Sequence, residues 1–288
     1  MTKALDELIE LLDLEAVEVN IFRGLSPDER RQRVFGGQVA GQALVAAGRT
    51  VEQGTVHSLH AYFLRPGDPT VPILYTVDRI RDGRSFTTRR VVAIQRGKAI
   101  FNLAASFHVA EDGPEHQIPM PDVPDPEELP TMRERMAPFK AQVGDWYDRP
   151  HPIDFRYVTP TPLERAASGE PMPPRQQVWI RADGDLADDP LLHACVVAYE
   201  SDFTLLDTTL LPHGTAGWGD ESELMMASLD HAMWFHRPFR ADDWLLYDMD
   251  SPTTHGARGL ARGMIYSRDG DLVVSVIQEG LVRPLRKG

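Results

Sequence analysis

The chain has 288 residues, of which 42% are hydrophobic and 25% charged, a composition typical of a folded globular protein. Its formal net charge of −13 opposes non-specific binding to nucleic acids and anionic membranes, so we expect no nucleic-acid partner. No apolar run reaches the roughly 18 residues that a membrane span needs, so we expect no membrane insertion. Cys195 is the only cysteine, which excludes an intrachain disulfide. Together with an acidic N-terminus unlike a signal peptide, this favours a cytoplasmic location.

The first half of the chain predicts helices followed by strands. A helix is expected over 3–13, where Leu5, Leu8 and Leu12 fall on one face. The segment 37–48, GQVAGQALVAAG, is apolar nearly all round, so a helix there must be buried. Four strands are predicted from runs rich in Val, Ile, Phe and Tyr: 56–64, 72–80, 85–95 and 99–109. Prolines and acidic residues then predict a linker over 111–150, with a short helix over 131–143.

The second half repeats this order of elements. The segment 191–199, LLHACVVAY, is again apolar nearly all round and predicts a second buried helix. Strands are predicted after it at 228–236, 243–250, 257–267 and 272–283. The pattern F-x-R-P-x7-L-Y occurs at Phe63 and again at Phe235. We interpret the chain as two copies of one unit, over 1–110 and 151–288.

Each copy combines one helix without a polar face and one set of antiparallel strands. A curved sheet that encloses the helix would bury the helix on all sides. The sequence therefore predicts an α+β fold of the tandem, or double, hot-dog type, with two antiparallel sheets each wrapped on a buried central helix.

Long stretches of the sequence also carry a resemblance to a known family. They are RVFGGQVAGQAL (33–44), VHSLHAYFLRPGD (56–68), RDGRSFTTRRVVAIQRGKAIF (81–101), RQQVWIRADG (175–184), SLDHAMWFHRPF (228–239) and VSVIQEG (274–280). In order and spacing, over nearly the whole chain, the sequence resembles the acyl-CoA thioesterase II family of double hot-dog enzymes. The resemblance implies hydrolysis of fatty acyl-CoA to a fatty acid and CoA, a role in lipid metabolism, no metal or organic cofactor, and a homodimer or homotetramer.

The resemblance also implies a catalytic trio. In that family an Asp, a Ser or Thr, and a Gln orient the attacking water, and the matching positions here are Asp202, Ser228 and Gln278. A carboxylate can accept a proton from water, while a hydroxyl and an amide can hold it, so no covalent acyl-enzyme is needed. The first repeat has Val56 and Ala105 where the second has Ser228 and Gln278. We therefore expect one active centre per chain, formed where the two repeats pack together, with Asp202 just after the second buried helix.

Further candidates surround this trio. Gly37 and Gln38 open the first buried helix, where free N–H groups suit an oxyanion, although these residues could equally serve only to let the helix enter between strands. His57 is a candidate for lining the site, and a structural histidine is the alternative. Candidates for an acyl channel, with core packing as the alternative, are Met225, Met226, Met233 and Trp234. Candidates for binding the CoA phosphates, some of which could instead pair with nearby acids, are Arg31, Arg33, Arg84, Arg89 and Arg90.

Two other functions stay open at this point. A hot-dog enoyl-CoA hydratase or dehydratase would use an Asp–His pair, and the trio contains no histidine. A non-catalytic acyl-CoA-binding module would need the pocket but no base such as Asp202. Cys195, in the middle of an apolar helix, is predicted to be a buried small hydrophobe and not a nucleophile.

Overall fold

The computed structural model describes residues 2–27, 32–214 and 224–285, without the side chain of Trp146. Its α-helices are α1 (Lys3–Leu12), α2 (Gly36–Gly48), α3 (Met132–Met136), α4 (Lys140–Val143), α5 (Pro162–Ser168) and α6 (Pro190–Thr204). Short 3-10 segments span Pro126–Glu128, Ala137–Phe139, Gly144–Asp148 and Leu205–His213. The strands are β1 (Glu15–Glu18), β2 (Ile21–Gly24), β3 (Thr55–Phe63), β4 (Ile73–Asp82), β5 (Phe86–Gln95), β6 (Lys98–His108), β7 (Ile153–Tyr157), β8 (Arg175–Ala182), β9 (Leu224–Ser228), β10 (Asp230–Phe235), β11 (Leu245–His255), β12 (Arg258–Ser267) and β13 (Leu272–Pro284).

The described strands form one 13-stranded antiparallel sheet. Its order is β1-β2-β4-β5-β6-β3-β10-β13-β12-β11-β8-β7, with β9 paired to β13 beside this path. The predicted α+β double hot-dog is confirmed, with the difference that the two predicted sheets are continuous. They join where β3 pairs with β10, and Leu59 lies opposite Met233. This pairing satisfies backbone groups that two separate sheets would leave exposed at their edges.

The two long apolar helices lie inside this sheet and touch each other. All residues of α2 from Gly37 to Ala47 are buried. In the second repeat, α6 packs on α2, and the 3-10 segment Leu205–His213 packs on the strands from β11 to β13. A Cβ added at Gly37 would lie only 2.1 Å from the carbonyl oxygen of Tyr199, so the helices meet backbone to backbone. This close approach brings the C-terminal turn of α6 to the N-terminus of α2.

One apolar core runs through both repeats. It includes Leu5 and Leu12 of α1, Leu44 of α2, Val196 of α6 and Val276 of β13. None of the helices in the described ranges is long and apolar enough to cross a membrane.

The linker packs on the second repeat. Trp179 forms a smaller cluster with Trp244, and Met120 of the linker packs against it. The Trp179 indole also donates a hydrogen bond to the Pro124 carbonyl at 3.0 Å. The linker is therefore attached along the second half of the sheet.

Candidate active site

Asp202 is the centre of a hydrogen-bonded group at the end of α6. It lies in the last turn of this helix, not after it as predicted, because α6 continues to Thr204. Asp202 Oδ1 accepts hydrogen bonds from Ser228 Oγ at 2.9 Å and from Gln278 Nε2 at 2.5 Å. The backbone N–H of Gly37, in the first turn of α2, also donates to this carboxylate. The structure thus brings the predicted trio together from α6, β9 and β13.

The surroundings of Asp202 shift its acidity toward neutral pH. Burial disfavours the charged form and raises the pKa of Asp202 to about 6, while the hydrogen bonds from Gln278, Ser228 and Gly37 oppose this rise. A carboxylate with a pKa in this range is ionised at pH 7 and is still basic enough to accept a proton from water.

Gly36 allows the carboxylate to approach the start of α2. A Cβ added there would lie 2.5 Å from Asp202 Oδ2, closer than real Cβ atoms come to a neighbour. Both side-chain donors bind Oδ1, and no side chain in the described ranges donates to Oδ2. Oδ2 therefore has fewer side-chain donors than Oδ1 among the described residues, and it can accept a hydrogen bond from a small molecule.

Gln278 offers a second acceptor beside Asp202. Its side chain is fully buried on β13, and its Nε2 is used by Asp202. Its Oε1 is also buried and has no hydrogen-bond partner within the described part of the chain. Buried polar atoms are usually paired with protein or with ordered water, so this oxygen is suited to hold a water molecule next to the carboxylate.

A cavity of about 680 Å³ opens beside this group. Asp202 and Ser228 lie in its wall, and both repeats contribute to the lining. From the first repeat it is lined by Gly36, Val39, Phe63 and Phe101, and from the second by Phe203, Leu206, Met225 and Met226. The site therefore forms between the two repeats, and its apolar lining suits a hydrocarbon chain.

Two arginines line the same cavity, and neither has an acidic partner among the residues that the structure describes. Arg33 donates to the backbone oxygen of Met226 at 2.9 Å, and Arg65 donates to that of Ala99 at 2.6 Å. Neither forms an ion pair with any acidic residue that the structure describes. Their charges are thus available to an anionic ligand at the cavity.

Comparisons with known proteins identify the family. One family model, described as acyl-CoA thioesterase, matches residues 149–281, and a second, described as acyl-CoA thioesterase N-terminal domain, matches residues 26–108. Human acyl-coenzyme A thioesterase 8 is 43% identical, over 95% of this chain and 88% of its own length. The chain belongs to the acyl-CoA thioesterase II family.

Further relatives agree with this assignment. Acyl-CoA thioesterase 2 of Haemophilus influenzae is 40% identical, over 98% of this chain and 99% of that protein. Among solved structures, an acyl-CoA thioesterase II from Mycobacterium marinum is 44% identical with a TM-score of 0.78, covering 98% of this chain and 99% of that one. The family resemblance seen in the sequence is therefore confirmed.

Several other predicted site residues of this thioesterase II chain lie away from the cavity. Gln38 is buried and donates to the Leu25 carbonyl and to Ser26 Oγ, which is a structural role. His57 hydrogen-bonds Ser106 at 2.8 Å and does not line the cavity. The backbone N–H of Gly37 donates a hydrogen bond to the Asp202 carboxylate. This N–H is therefore not free to bind an oxyanion.

The predicted acyl-channel residues divide into two pairs. Met225 and Met226 line the cavity. Met233 instead belongs to the core and has no exposed surface. Trp234 packs edge-on to His60, with ring centroids 5.2 Å apart. Met233 and Trp234 are adjacent on β10, which pairs with strands on both edges, so alternation turns Met233 into the core and Trp234 to the other face of the sheet.

Most of the arginines that were predicted to bind the CoA phosphates lie outside the cavity lining. Arg89 is 1% exposed and its guanidinium bonds Thr50 and Asp82, so it cannot reach a ligand. Arg90 pairs with Asp78, and Arg84 is exposed in the turn between β4 and β5, outside the cavity lining. Arg33 lines the cavity, and Arg31 lies outside the described residues.

Sequence reasoning missed Arg65. It belongs to the first copy of the F-x-R-P pattern, which the sequence showed only as a sign of duplication. Its counterpart Arg237 forms an ion pair with Glu115 at 3.9 Å, whereas Arg65 pairs with no acid in the described part of the chain. No signal in the sequence separates the two arginines, because Asp68 follows Arg65 closely and Glu115 is far from Arg237 along the chain.

Proposed function

We propose that this protein hydrolyses fatty acyl-CoA thioesters to the free fatty acid and CoA. The observation that carries the proposal is the Asp202 carboxylate, with its pKa near 6, held by three donors in the wall of an apolar cavity. The names of its relatives, which are acyl-CoA thioesterases, support the same activity.

The proposed reaction uses water directly. A water held by Gln278 Oε1 and Asp202 Oδ2 gives a proton to the carboxylate as its oxygen attacks the thioester carbonyl. The resulting tetrahedral intermediate collapses by breaking the C–S bond, and the CoA sulfur takes the proton from Asp202. Ser228 and Gln278 keep the carboxylate in place throughout, and no covalent acyl-enzyme forms.

The N-terminus of α2 has a supporting part in this mechanism. Gly36 lines the cavity at the first turn of the helix, where the macrodipole is positive. A thioester carbonyl placed there would gain stabilisation as its oxygen becomes negative. The N–H of Gly37 contributes indirectly, because it orients Asp202.

The CoA moiety would lie toward Arg33 and Arg65. These residues have no acidic partners among the described residues, so they can meet the phosphates of CoA despite the overall charge of −13. We therefore assign phosphate binding to Arg33 and Arg65 and withdraw Arg84, Arg89 and Arg90 from that role.

The test measures CoA release from octanoyl-CoA and hexadecanoyl-CoA with a thiol reagent. Asp202→Asn should lower kcat/KM by about 10²–10⁴-fold, because the base is lost while the shape is kept. Asp230→Asn is the matched control. Asp230 accepts a hydrogen bond from the backbone N–H of Glu279 and does not line the cavity. It should keep near-normal activity.

Three outcomes would contradict the proposal. Near-normal hydrolysis by a folded Asp202→Asn protein would remove Asp202 as the base. Hydration of an enoyl-CoA without CoA release would instead support a hydratase. Tight binding of acyl-CoA without any turnover by the native protein would support a binding module.

The predictions of a cytoplasmic location, of activity without a metal or organic cofactor, and of a homodimer or homotetramer stay predictions. Light scattering coupled to size-exclusion chromatography tests the oligomeric state. Activity without a metal predicts full activity after dialysis against a chelator.

A further inference from the structure

A row of three cavities leads from Asp202 to the far side of the linker helices. The active-site cavity shares Phe203 and Asp207 with a narrow space beneath α3 and α4. That space shares Met132 and Met136 with a third cavity of about 350 Å³, at the surface of the linker. The narrow space is therefore a neighbour of both larger cavities and has two lining residues in common with each.

The middle space is narrow and almost entirely apolar. Its volume is about 20 Å³, and its lining comes from the linker and the second repeat: Met132, Met136, Val143, Tyr157, Pro162, Leu163, Phe203 and Asp207. Met136 is 3% exposed, so the linker helix covers this space. Methionine side chains have three rotatable bonds and adapt to apolar ligands of variable shape. A flexible hydrocarbon chain is the kind of ligand that such a lining would accept.

The positions of Arg33 and Arg65 indicate how an acyl-CoA would be oriented in the active-site cavity. Arg33 is hydrogen-bonded to β9 and Arg65 to β6 of the first repeat, whereas Phe203 and Leu206 follow Asp202 in the second repeat. A thioester at Asp202 with its phosphates toward the arginines would therefore send its acyl chain toward Phe203. There the chain meets the ring packed against Phe155 and His151, at centroid distances of 5.4 and 5.1 Å.

We propose that the distal part of a long acyl chain lies beneath α3, between Phe203 and the methionines Met132 and Met136. This inference rests on the proposed function and deepens it, because it makes the linker a determinant of chain length. A short chain ends in the active-site cavity, while a long chain displaces Phe203 and enters the space under the linker. The alternative course for the chain is along Met225 and Met226, which the experiment separates from this one.

The first test blocks the passage. Met132→Trp places a larger side chain at a half-buried linker position, and Met120→Trp makes the same change where the linker packs on Trp179 instead. The measured quantity is kcat/KM for hexadecanoyl-CoA divided by kcat/KM for hexanoyl-CoA. Met132→Trp should lower this ratio by about tenfold or more, and Met120→Trp should leave it unchanged. The opening variant Phe203→Ala should raise it.

The second test measures binding without turnover. Cys195 is the only cysteine, is fully buried, and its pKa is raised by burial, so it should not react with a maleimide. In Met132→Cys, a non-hydrolysable thioether analogue of hexadecanoyl-CoA should protect the new thiol from maleimide, whereas the hexanoyl analogue and CoA should not. This readout does not depend on whether the protein hydrolyses its ligand, and it remains available if the tryptophan variant fails to fold.

The outcomes distinguish the two proposals. A native protein that releases no CoA, but whose Met132→Cys variant is protected by the long analogue, would overturn the hydrolase and retain the passage. Unchanged ratios in both Met132→Trp and Phe203→Ala, in an active enzyme and without protection of the cysteine, would overturn the passage and place the chain along β9.

Discussion

At the scale of single residues, the pKa of Asp202 results from competing effects on its carboxylate. Burial raises its pKa, and the hydrogen bonds from Gln278, Ser228 and Gly37 limit that rise. Glu200, two residues earlier, is 1% exposed, and burial holds its pKa well above its usual range. Asp202, unlike Glu200, lies in the cavity wall, and its pKa of about 6 is close to physiological pH.

This predicts the pH dependence of hydrolysis. Only ionised Asp202 can accept the proton, so kcat/KM should fall about tenfold per pH unit below pH 6 and reach a plateau above it. Ser228→Ala removes a hydrogen bond that lowers this pKa, so its acidic limb should move to higher pH. The measurement is a series of kcat/KM values between about pH 4.5 and pH 9.

Asp230→Asn is the control for this titration. Burial raises the pKa of Asp230 as well, but this residue does not line the cavity, so the acidic limb should stay in place. A limb that moves in Asp230→Asn and not in Ser228→Ala would mean that Asp202 is not the titrating group.

At the scale of elements, the contact between α2 and α6 sets the geometry of the site. The Gly37 Cα faces the Tyr199 carbonyl with no room for a methyl group, because an added Cβ would lie 2.1 Å from that oxygen. Backbone atoms cannot rotate away as a side chain can, so any larger residue must push the helices apart. The movement would also carry Asp202 away from the N–H of Gly37.

Gly37→Ala should therefore destabilise the fold. Overpacking of this kind typically costs about 1–3 kcal/mol in the free energy of unfolding. Urea unfolding measures the change, and Gly113→Ala is the control, because a Cβ there meets nothing within 4 Å. Equal stability of the two variants would show that the helices are not held as closely as the structure has them.

The two helices without a polar face are predictable from the sequence, whereas several strands are not. The helix predicted over 37–48 is found at Gly36–Gly48. The helix predicted to end at Tyr199 continues to Thr204, because buried Glu200 and Ser201 look like polar surface residues in a sequence. The sequence analysis does not predict β7 or β8, and the pairing of Asp154 on β7 with Arg156 and Arg181 exists only in the folded chain.

The candidate site was predictable where family resemblance supplied its residues and much less where chemistry alone did. Asp202, Ser228 and Gln278 were named from the resemblance, and the structure places them in contact. Arg89 was chosen for its charge, but charge in a sequence does not show that a guanidinium turns inward to Thr50. Burial and partners are properties of the fold, so they must be observed there.

At the scale of the whole molecule, the two repeats form one body. The sheet continues through the pairing of β3 with β10, α2 packs on α6, and the core includes residues of both repeats. Either repeat alone would expose an open sheet edge and one face of its apolar helix. The active site depends on this union, because its lining comes from both.

We therefore predict one cooperative unfolding transition for the whole chain, and the tryptophans allow a direct test. All five lie after residue 145, so tryptophan fluorescence reports on the second repeat and the linker, while far-UV circular dichroism reports on both repeats. The two urea curves should coincide. In Gly37→Ala the substitution is in the first repeat, yet the fluorescence midpoint should fall together with the dichroism midpoint. A fluorescence midpoint unchanged by that substitution would mean that the second repeat is stable without the first, contrary to the shared core.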